Sequence, residues 1–217
     1  MDTAFFVAWI EEIAHVIADQ RDHLTKLDAA IGDADHGANL DRGFSAAREA
    51  LASADPPPAT PGDVLTLTGT TLIRKVGGAS GPLYGSAFRQ MGKTLGDAPE
   101  VTPAALAMAL EAGLAVVQRL GAAEEGDKTM VDALAPAIRT LTAALEDTPA
   151  DGSYGPVLED AARAAAEGAH ATIPLLARKG RASYLGPRSI GHEDPGAAST
   201  ALILAALSTT AAATAAK

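Results

Sequence analysis

The sequence contains no cysteine, which excludes disulfide bonds, thiol nucleophiles and thiolate metal sites. Aromatic residues make up only 4% of the 217 residues although 47% are hydrophobic, so the core must consist mainly of Ala, Leu, Val and Ile. Basic residues are also few, and 17 Lys and Arg against 27 Asp and Glu give a net charge of −10. This charge argues against partners such as nucleic acid or an anionic membrane, because their phosphates attract basic surfaces.

The N-terminus lacks the basic region of a secretory signal, since Asp2, Glu11 and Glu12 interrupt its apolar residues. Residues 197–216 carry no charge and are long enough to span a bilayer. They are mostly Ala, Thr and Ser, however, so we expect a buried core helix there. The expected location is the cytoplasm.

Alanine is the best helix former, and apolar residues recur at helical spacing along most of the chain. No convincing alternating strand pattern is present. We therefore predict an all-α fold of about eight helices in a single domain over residues 1–217, with short loops that favour antiparallel neighbours. The predicted helices cover residues 3–26, 36–52, 61–77, 80–95, 103–121, 128–145, 154–177 and 195–217. The stretches 55–62 and 147–153 are predicted to be surface loops.

Three aspartates, Asp28, Asp33 and Asp35, lie within eight positions. Two carboxylates about 4 Å apart repel each other by roughly 4 kcal/mol at an effective dielectric near 20, so a loop that gathers three of them indicates a cation. Oxygen ligands without cysteine favour Mg²⁺ or a similar hard ion. Alternatively, Asp33 and Asp35 form a turn and a helix N-cap while Asp28 is solvated.

Two glycine-containing turns precede predicted helices. His36, Gly37, Ala38 and Asn39 lie at the start of one helix, where free backbone N–H groups can receive a phosphate; the alternative is a capped helix with an exposed His36. In the second turn, residues 77–81 (GGASG), Ser80 either donates its hydroxyl to a phosphate or caps its helix.

Two further polar stretches stand before alanine-rich helices. In residues 126–130 (GDKTM), Asp127 is a candidate N-cap, and Met130 either packs in the core or lies against a purine. In residues 180–196, Arg181 and Arg188 could neutralise phosphate oxygens, or could form ordinary surface salt bridges.

Four strings together resemble the L-subunit family of dihydroxyacetone kinase. They are LDAAIGDADHGANLDRGF (27–44), GGASGPLYGSAF (77–88), GDKTMVDAL (126–134) and GRASYLGPRSIGHEDPGAAST (180–200). The resemblance covers most of the chain, and four matches in order make it specific. It implies an antiparallel barrel of eight helices with a nucleotide at one end, which agrees with the helix count.

The resemblance also implies a role for each matched position. Two Mg²⁺ ions would be held by Asp28, Asp33 and Asp35, between the protein and ADP or ATP. The implied nucleotide contacts fall on His36, Gly37, Ala38, Asn39, Ala79, Ser80, Gly121, Thr129, Met130, Arg181, Asp194, Pro195 and Gly196. Two positions depart from the family pattern: Ala34 stands where glycine is common, and Pro187 stands where an acidic residue is usual. We expect these departures to affect docking rather than metal binding.

The activity implied is phosphoryl transfer to dihydroxyacetone, which a histidine of a separate K subunit holds covalently. In one family mode ADP stays bound and is recharged by a phosphohistidine protein of the phosphoenolpyruvate phosphotransferase system; in the other, ATP is an ordinary substrate. We favour the first. The alternatives are a related ketose or tetrose as the substrate, or a non-enzymatic module that contacts a transcriptional regulator. A homodimer is also compatible with the sequence.

Overall fold

The computed structural model describes residues 1–147 and 154–215. Within these ranges the chain forms nine α-helices and one 3-10 helix, and no strand beyond an isolated bridge between Asp2 and Glu100. The elements are α1 (Thr3–Asp19), α2 (Arg21–Ile31), α3 (His36–Ala52), α4 (Pro61–Lys75), α5 (Ser80–Leu95), α6 (Pro103–Gly121), α7 (Val131–Asp147), α8 (Gly155–Ala171), the 3-10 helix Arg181–Ser189 and α9 (Pro195–Ala215). The predicted all-α class is confirmed.

Eight of these helices form a closed ring. α1 packs on α3, each of α3 to α8 packs on the next helix in order, and α9 returns to α1. α2 lies outside this ring against α3, α9 and the 3-10 helix. α3, α5, α7 and α9 begin at the same end of the ring at which α2, α4 and α6 stop. Neighbouring ring helices therefore alternate in direction, and several helix N-termini meet at one end.

The ring is filled by a single large hydrophobic cluster to which all nine α-helices contribute. Its bulkiest members come from α1 and α3, where Trp9, Phe6 and Phe44 are almost completely buried. The Trp9 indole Nε1 donates a hydrogen bond to the Ile203 carbonyl at 3.1 Å. That bond attaches α1 to α9, the helix that carries no charged residue.

Two helices, α6 and α9, are long and apolar enough to cross a membrane by length and composition alone. For α9 this is explained by its place in the core, because 61% of its apolar window is buried in the protein. The predicted buried helix is therefore observed. In α6, 39% of the apolar window is buried in the protein.

α4 and α5 approach each other through glycine. A Cβ atom added to Gly69 would lie 2.4 Å from the Gly85 carbonyl oxygen, and one added to Gly92 would lie 2.5 Å from the Gly62 carbonyl oxygen. Only glycine permits such contact between backbones. Glycine therefore lets α4 and α5 pack closely at two levels along their length.

Three predicted helix boundaries were wrong. The first predicted helix is broken at Gln20, because α1 is one of the ring helices whereas α2 lies outside the ring against the 3-10 helix. The sixth begins at Val131 rather than at Lys128, whose φ of +63° is left-handed. The seventh stops at Ala171, three residues before Pro174, which has no N–H to continue the helix. The predicted surface loop near residue 150 lies largely outside the described residues.

Candidate functional site

A cleft of about 310 Å³ opens at the end of the ring where the helix N-termini meet. Its lining includes the three aspartates, the start of α3, residues 179–182 and the start of α9. Apolar side chains contribute much of the remaining lining: Ile31, Leu83, Val117, Ala123, Met130 and Val131. The cleft thus offers a polar region beside an apolar one.

Asp28 is the buried member of the aspartate cluster, with 7% of its surface exposed. Its Oδ2 accepts hydrogen bonds from the backbone N–H groups of Asp35 (2.8 Å) and His36 (3.1 Å). A Cβ atom on residue 32 would lie 1.9 Å from Asp28 Oδ1, so Gly32 leaves the space which that oxygen occupies. The alternative with a solvated Asp28 is wrong, and Asp35 makes no side-chain capping bond to α3.

Asp28, Asp33 and Asp35 each offer one carboxylate oxygen within 4.8 Å of the other two. The only ion pair to this cluster among the described residues joins Asp33 Oδ2 to the Arg181 guanidinium at 3.1 Å. One cation on an exposed arginine does not neutralise three carboxylates. The donor set, hard oxygens at short mutual distance, fits Mg²⁺, and these three aspartates are the residues that would hold it.

His36 begins α3 and is only 8% exposed, so the alternative with an exposed His36 is wrong. Its ring lies between two hydroxyls, with Nε2 2.9 Å from Ser199 Oγ and Nδ1 3.2 Å from Ser80 Oγ. Burial lowers the pKa of His36, against the opposing effects of Asp28 and Asp35. The imidazole therefore links α3 to α5 and α9 at the cleft.

The three residues after His36 are not among the described residues that line the cleft. Gly37 packs on α2, where a Cβ atom would lie 2.0 Å from the Arg21 carbonyl oxygen. Asn39 is buried, and its Oδ1 accepts a hydrogen bond from Arg42 at 2.5 Å. The roles of Gly37, Ala38 and Asn39 in nucleotide contact stay predictions.

Ala79 and Ser80 line the cleft at the start of α5. One turn further along α5, the buried Tyr84 hydroxyl lies 2.7 Å from Ser199 Oγ, 2.8 Å from Thr200 Oγ1 and 3.0 Å from the Gly196 carbonyl oxygen. Hydrogen bonds join Ser80 to His36, His36 to Ser199, and Ser199 to Tyr84. This hydrogen-bond network connects the starts of α3, α5 and α9.

Gly121, Thr129 and Met130 all line the cleft. Met130 is 6% exposed and belongs to the hydrophobic core, so it both packs in the core and lines the cleft. The Thr129 N–H donates to Asp132 Oδ2 at 2.8 Å. This bond shapes the turn that leads into α7.

Arg181 and the turn of Asp194, Pro195 and Gly196 also line the cleft. Asp194 Oδ2 accepts the Ala197 N–H at 2.8 Å and so caps α9. The pKa of Asp194 is raised to about 7, because burial and the nearby Asp132 together outweigh the lowering effects of the Ala197 and Gly196 N–H groups and of the Lys128 charge. The structure thus brings Arg181 and this turn together, while Arg188 is not among the lining residues.

Sequence reasoning assigned no role to three residues at this end of the ring. Lys128 is 1% exposed and borders the cleft, Asp132 accepts the N–H groups of Gly126 and Thr129, and Tyr84 anchors the start of α9. Burial lowers the pKa of Lys128, although Asp194 and Asp132 raise it. The only sequence signals were that Lys128 and Asp132 lie within GDKTMVDAL, and Tyr84 within GGASGPLYG.

Comparison with known proteins gives consistent matches. The family described as the DAK2 domain matches residues 30–209. The chain is 39% identical over 206 residues to "PEP-dependent dihydroxyacetone kinase 1, ADP-binding subunit DhaL" of Listeria innocua, covering 95% of this chain and 96% of that protein. It is 42% identical over 199 residues to "PEP-dependent dihydroxyacetone kinase, ADP-binding subunit DhaL" of Escherichia coli K12, covering 91% and 92%.

Among solved structures, the dihydroxyacetone kinase from C. freundii in complex with AMP-PNP and Mg²⁺ matches with a TM-score of 0.70 and 28% identity. The match covers 95% of this chain and 34% of that one. The chain is also 39% identical over 201 residues to L-erythrulose 1-kinase of Mycolicibacterium smegmatis, covering 93% of this chain and 34% of that enzyme. It thus spans about a third of these two longer proteins.

Proposed function

The chain belongs to the DAK2-domain family, and from this premise we propose that it is the nucleotide-binding L subunit of a dihydroxyacetone kinase. The observation that carries this proposal is the cleft, in which three carboxylates face helix N-termini beside an apolar wall. Matches over more than nine-tenths of two ADP-binding subunits support it. The subunit would transfer a phosphoryl group from its nucleotide to dihydroxyacetone held on a separate K subunit.

The cleft suits the two halves of a nucleotide. The starts of α3, α5 and α9 line the cleft, and each brings to it the positive end of a helix dipole, worth roughly half a unit charge. Leu83, Val117 and Met130 provide apolar contact for a base. We assign Gly121, Thr129 and Met130 to the adenosine and Ala79 and Ser80 to the phosphates.

Asp28, Asp33 and Asp35 are assigned to two Mg²⁺ ions, which when bound neutralise the developing charge on the transferred group. The residues of the chain itself position the metal and the nucleotide. Two backbone N–H groups hold one carboxylate oxygen of Asp28, so the orientation of its other oxygen is set before a metal binds. Arg181 lies at the cleft in direct contact with Asp33, and we assign its guanidinium to phosphate oxygens of the nucleotide.

Ser80 and the start of α9 complete the lining of the site. The Ser80 hydroxyl is held against His36 Nδ1, and Asp194 fixes the first turn of α9. Phosphoryl transfer depends mainly on such positioning and charge neutralisation, with little covalent work for the protein. The substrate would be held by the partner, so this chain would supply the nucleotide half of the active site.

We further propose that ADP stays bound and is recharged by a phosphohistidine protein of the phosphotransferase system. The names of the subunits from Listeria innocua and Escherichia coli, which include "PEP-dependent", support this donor over free ATP. We place the complex in the cytoplasm, without nucleic acid or membrane as partners, and treat residues 1–217 as one domain.

A second candidate has a specific observation in its favour. The chain is as similar to L-erythrulose 1-kinase, at 39% identity, as to the Listeria innocua subunit. The part of that enzyme beyond the match covers about two-thirds of its length. A tetrose kinase subunit would therefore use the same nucleotide cleft with a different substrate partner.

The test begins with the purified chain, prepared without added nucleotide and then denatured. Near-stoichiometric release of ADP would support a retained cofactor. The intact chain is then combined with a K subunit and either phosphoenolpyruvate with the phosphotransferase proteins or ATP, and phosphorylation of dihydroxyacetone and erythrulose is measured. Transfer from phosphoenolpyruvate to dihydroxyacetone is expected, whereas a chain that neither binds nucleotide nor supports transfer would refute the kinase assignment.

A further inference from the structure

Lys128 is the most deeply buried charged side chain at the cleft. Only 1% of its surface is exposed, and its backbone φ of +63° is one that residues other than glycine rarely adopt. A lysine beside a phosphate-binding cleft is normally interpreted as a phosphate ligand. The contacts of Lys128 point to another role.

The ammonium group of Lys128 already has a partner for each of its three N–H bonds. Nζ donates to the carbonyl oxygens of Thr172 (2.7 Å) and Ile173 (3.3 Å), and at shorter distance to that of His192. An ammonium has three donors and no acceptor, so no donor remains for a ligand. Two of these carbonyls follow the C-terminal end of α8, where the helix dipole favours a cation.

The three carbonyls lie at the two ends of one stretch of chain. We name residues 173–192 the arginine segment, because it carries Arg178, Arg181 and Arg188. Its ends are also joined by the Gly191 N–H bonded to the Ile173 carbonyl at 2.8 Å. The Asp194 N–H donates to Thr172 Oγ1 at 2.9 Å. Lys128 therefore lies at the base of a closed loop.

The turn that carries Lys128 makes a second connection to the same loop. The Arg178 N–H donates to the Asp127 carbonyl at 3.1 Å. Three residues further along the loop, the Arg181 guanidinium forms an ion pair with Asp33 at 3.1 Å. Movement of the base would thus move the guanidinium that faces the aspartates.

We propose that Lys128 is a positioning residue that ties the two ends of the arginine segment together and so holds Arg181 over the cleft, rather than a ligand of the phosphates. The loop geometry is a property of the chain alone. The consequence for nucleotide affinity rests on the proposed function, and the two are measured separately below.

The first experiment compares Lys128→Met, which keeps the length of the side chain and removes charge and donors, with Arg181→Ala, which leaves the base intact. Amide hydrogen exchange is measured on both nucleotide-free proteins. In Lys128→Met, exchange within residues 173–192 should accelerate about tenfold or more, because hydrogen bonds from a charged donor are lost, while α4 and α5 keep their protection. Arg181→Ala should leave the base of the segment, residues 173 and 190–192, as protected as in the wild type.

Affinity for Mg-ADP then tests whether Lys128 acts through Arg181. Both single variants should bind more weakly, and the double variant should bind no more weakly than Arg181→Ala alone. Additive losses, or weakened binding without faster exchange in the segment, would overturn the proposal and indicate a direct phosphate contact. Faster exchange with no nucleotide binding in the wild type would uphold the loop role and refute only the proposed function.

A measurement on the unaltered protein covers the case in which Lys128→Met does not fold. The ¹⁵N resonance of the Lys128 ammonium, assigned by through-bond correlation, should be visible and protected from solvent before ADP is added. It should keep its shift after Mg-ADP binds. An ammonium that exchanges freely before binding, or that acquires a coupling to ³¹P after it, would contradict the proposal.

Discussion

At the scale of single residues, the aspartate loop combines a favourable and an unfavourable feature. Asp28 is fixed by two backbone N–H groups, so one carboxylate is oriented before any cation arrives. Between the other two aspartates, Ala34 adopts a left-handed φ of +63°. An L-residue with a Cβ atom loses about 1–2 kcal/mol in this region, whereas glycine does not.

Replacing Ala34 with glycine should therefore stabilise the protein. The expected gain is about 0.5–1 kcal/mol after the greater freedom of glycine in the unfolded chain is deducted, or a rise of about 2–4 °C in melting temperature for a gain of 1 kcal/mol. The matched control is Ala115→Gly on the exposed face of α6, which should cost about 1 kcal/mol. Thermal melts in EDTA compare the two, and equal destabilisation would contradict the strain at residue 34.

The raised pKa of Asp194 predicts that the stability of the protein depends on pH. Its pKa is raised from 3.8 to about 7 in the folded protein, mainly by burial. Between these values the folded state holds a proton that the unfolded state has released, so the free energy of unfolding falls as pH rises from about 4 to 7. This contribution is fully present below about pH 4 and is lost above pH 7.

The measurement is chemical denaturation of the wild type and Asp194→Asn across this range, in EDTA. Asparagine can still accept the Ala197 N–H but does not titrate. The wild type should lose stability relative to the variant by an amount on the order of a few kcal/mol between pH 4 and 7. Parallel stability curves would show that Asp194 is ionised in the folded protein.

At the scale of elements, the pair formed by α4 and α5 depends on glycine. Gly69→Ala would place a Cβ atom 2.4 Å from the Gly85 carbonyl oxygen and 2.6 Å from the Arg89 nitrogen. Both are backbone atoms, so relief requires the helices to separate. The expected cost is about 3 kcal/mol, or roughly 6–12 °C in melting temperature.

Gly113→Ala on α6 is the matched control. Its added Cβ atom would meet the flexible Met91 side chain, with Cγ at 3.2 Å, as its nearest contact. Since alanine also favours the helix, the change should stay within about 1 kcal/mol. Equal melting temperatures for the two variants would show that the close α4–α5 contact does not make Gly69 essential to the stability of the protein.

The elements also show what the sequence could predict. Helices beginning at proline after a capping threonine, such as α4 and α6, were located correctly because cap and proline are local signals. The start of α7 was not, because the left-handed Lys128 is stabilised by carbonyls 44 or more residues away. No local pattern encodes such a contact.

The candidate site divides in the same way. The aspartates could be predicted as a cluster because they lie within eight residues. In the structure, carboxylate oxygens of Asp28, Asp33 and Asp35 do lie close together. Tyr84 and His36 could not be connected, because their link runs through Ser199 on α9. The resemblance to a family identified residues at the cleft, whereas the hydrogen bonds that hold them depend on how distant segments pack.

At the scale of the whole molecule, alternation of helix direction explains why a chain with a net charge of −10 can build an anion site. The ring directs the starts of α3, α5, α7 and α9 to one end. Their dipoles supply positive potential locally, and the aspartates at the same end create the demand for a cation. The phosphates and the metal would thus be bound together, and neither well alone.

The most direct test of this account is calorimetric titration of ADP into the nucleotide-free chain, with Mg²⁺ and with EDTA. Asp33→Asn is compared with Asp97→Asn, an exposed carboxylate just after α5. The account predicts that ADP binds the wild type and Asp97→Asn with Mg²⁺, and that EDTA or Asp33→Asn weakens binding by about tenfold or more, since each lost charged contact is worth about 1.5–3 kcal/mol. Equal affinity with EDTA, or in Asp33→Asn, would contradict the claim that the aspartates and the helix N-termini form one metal–nucleotide site.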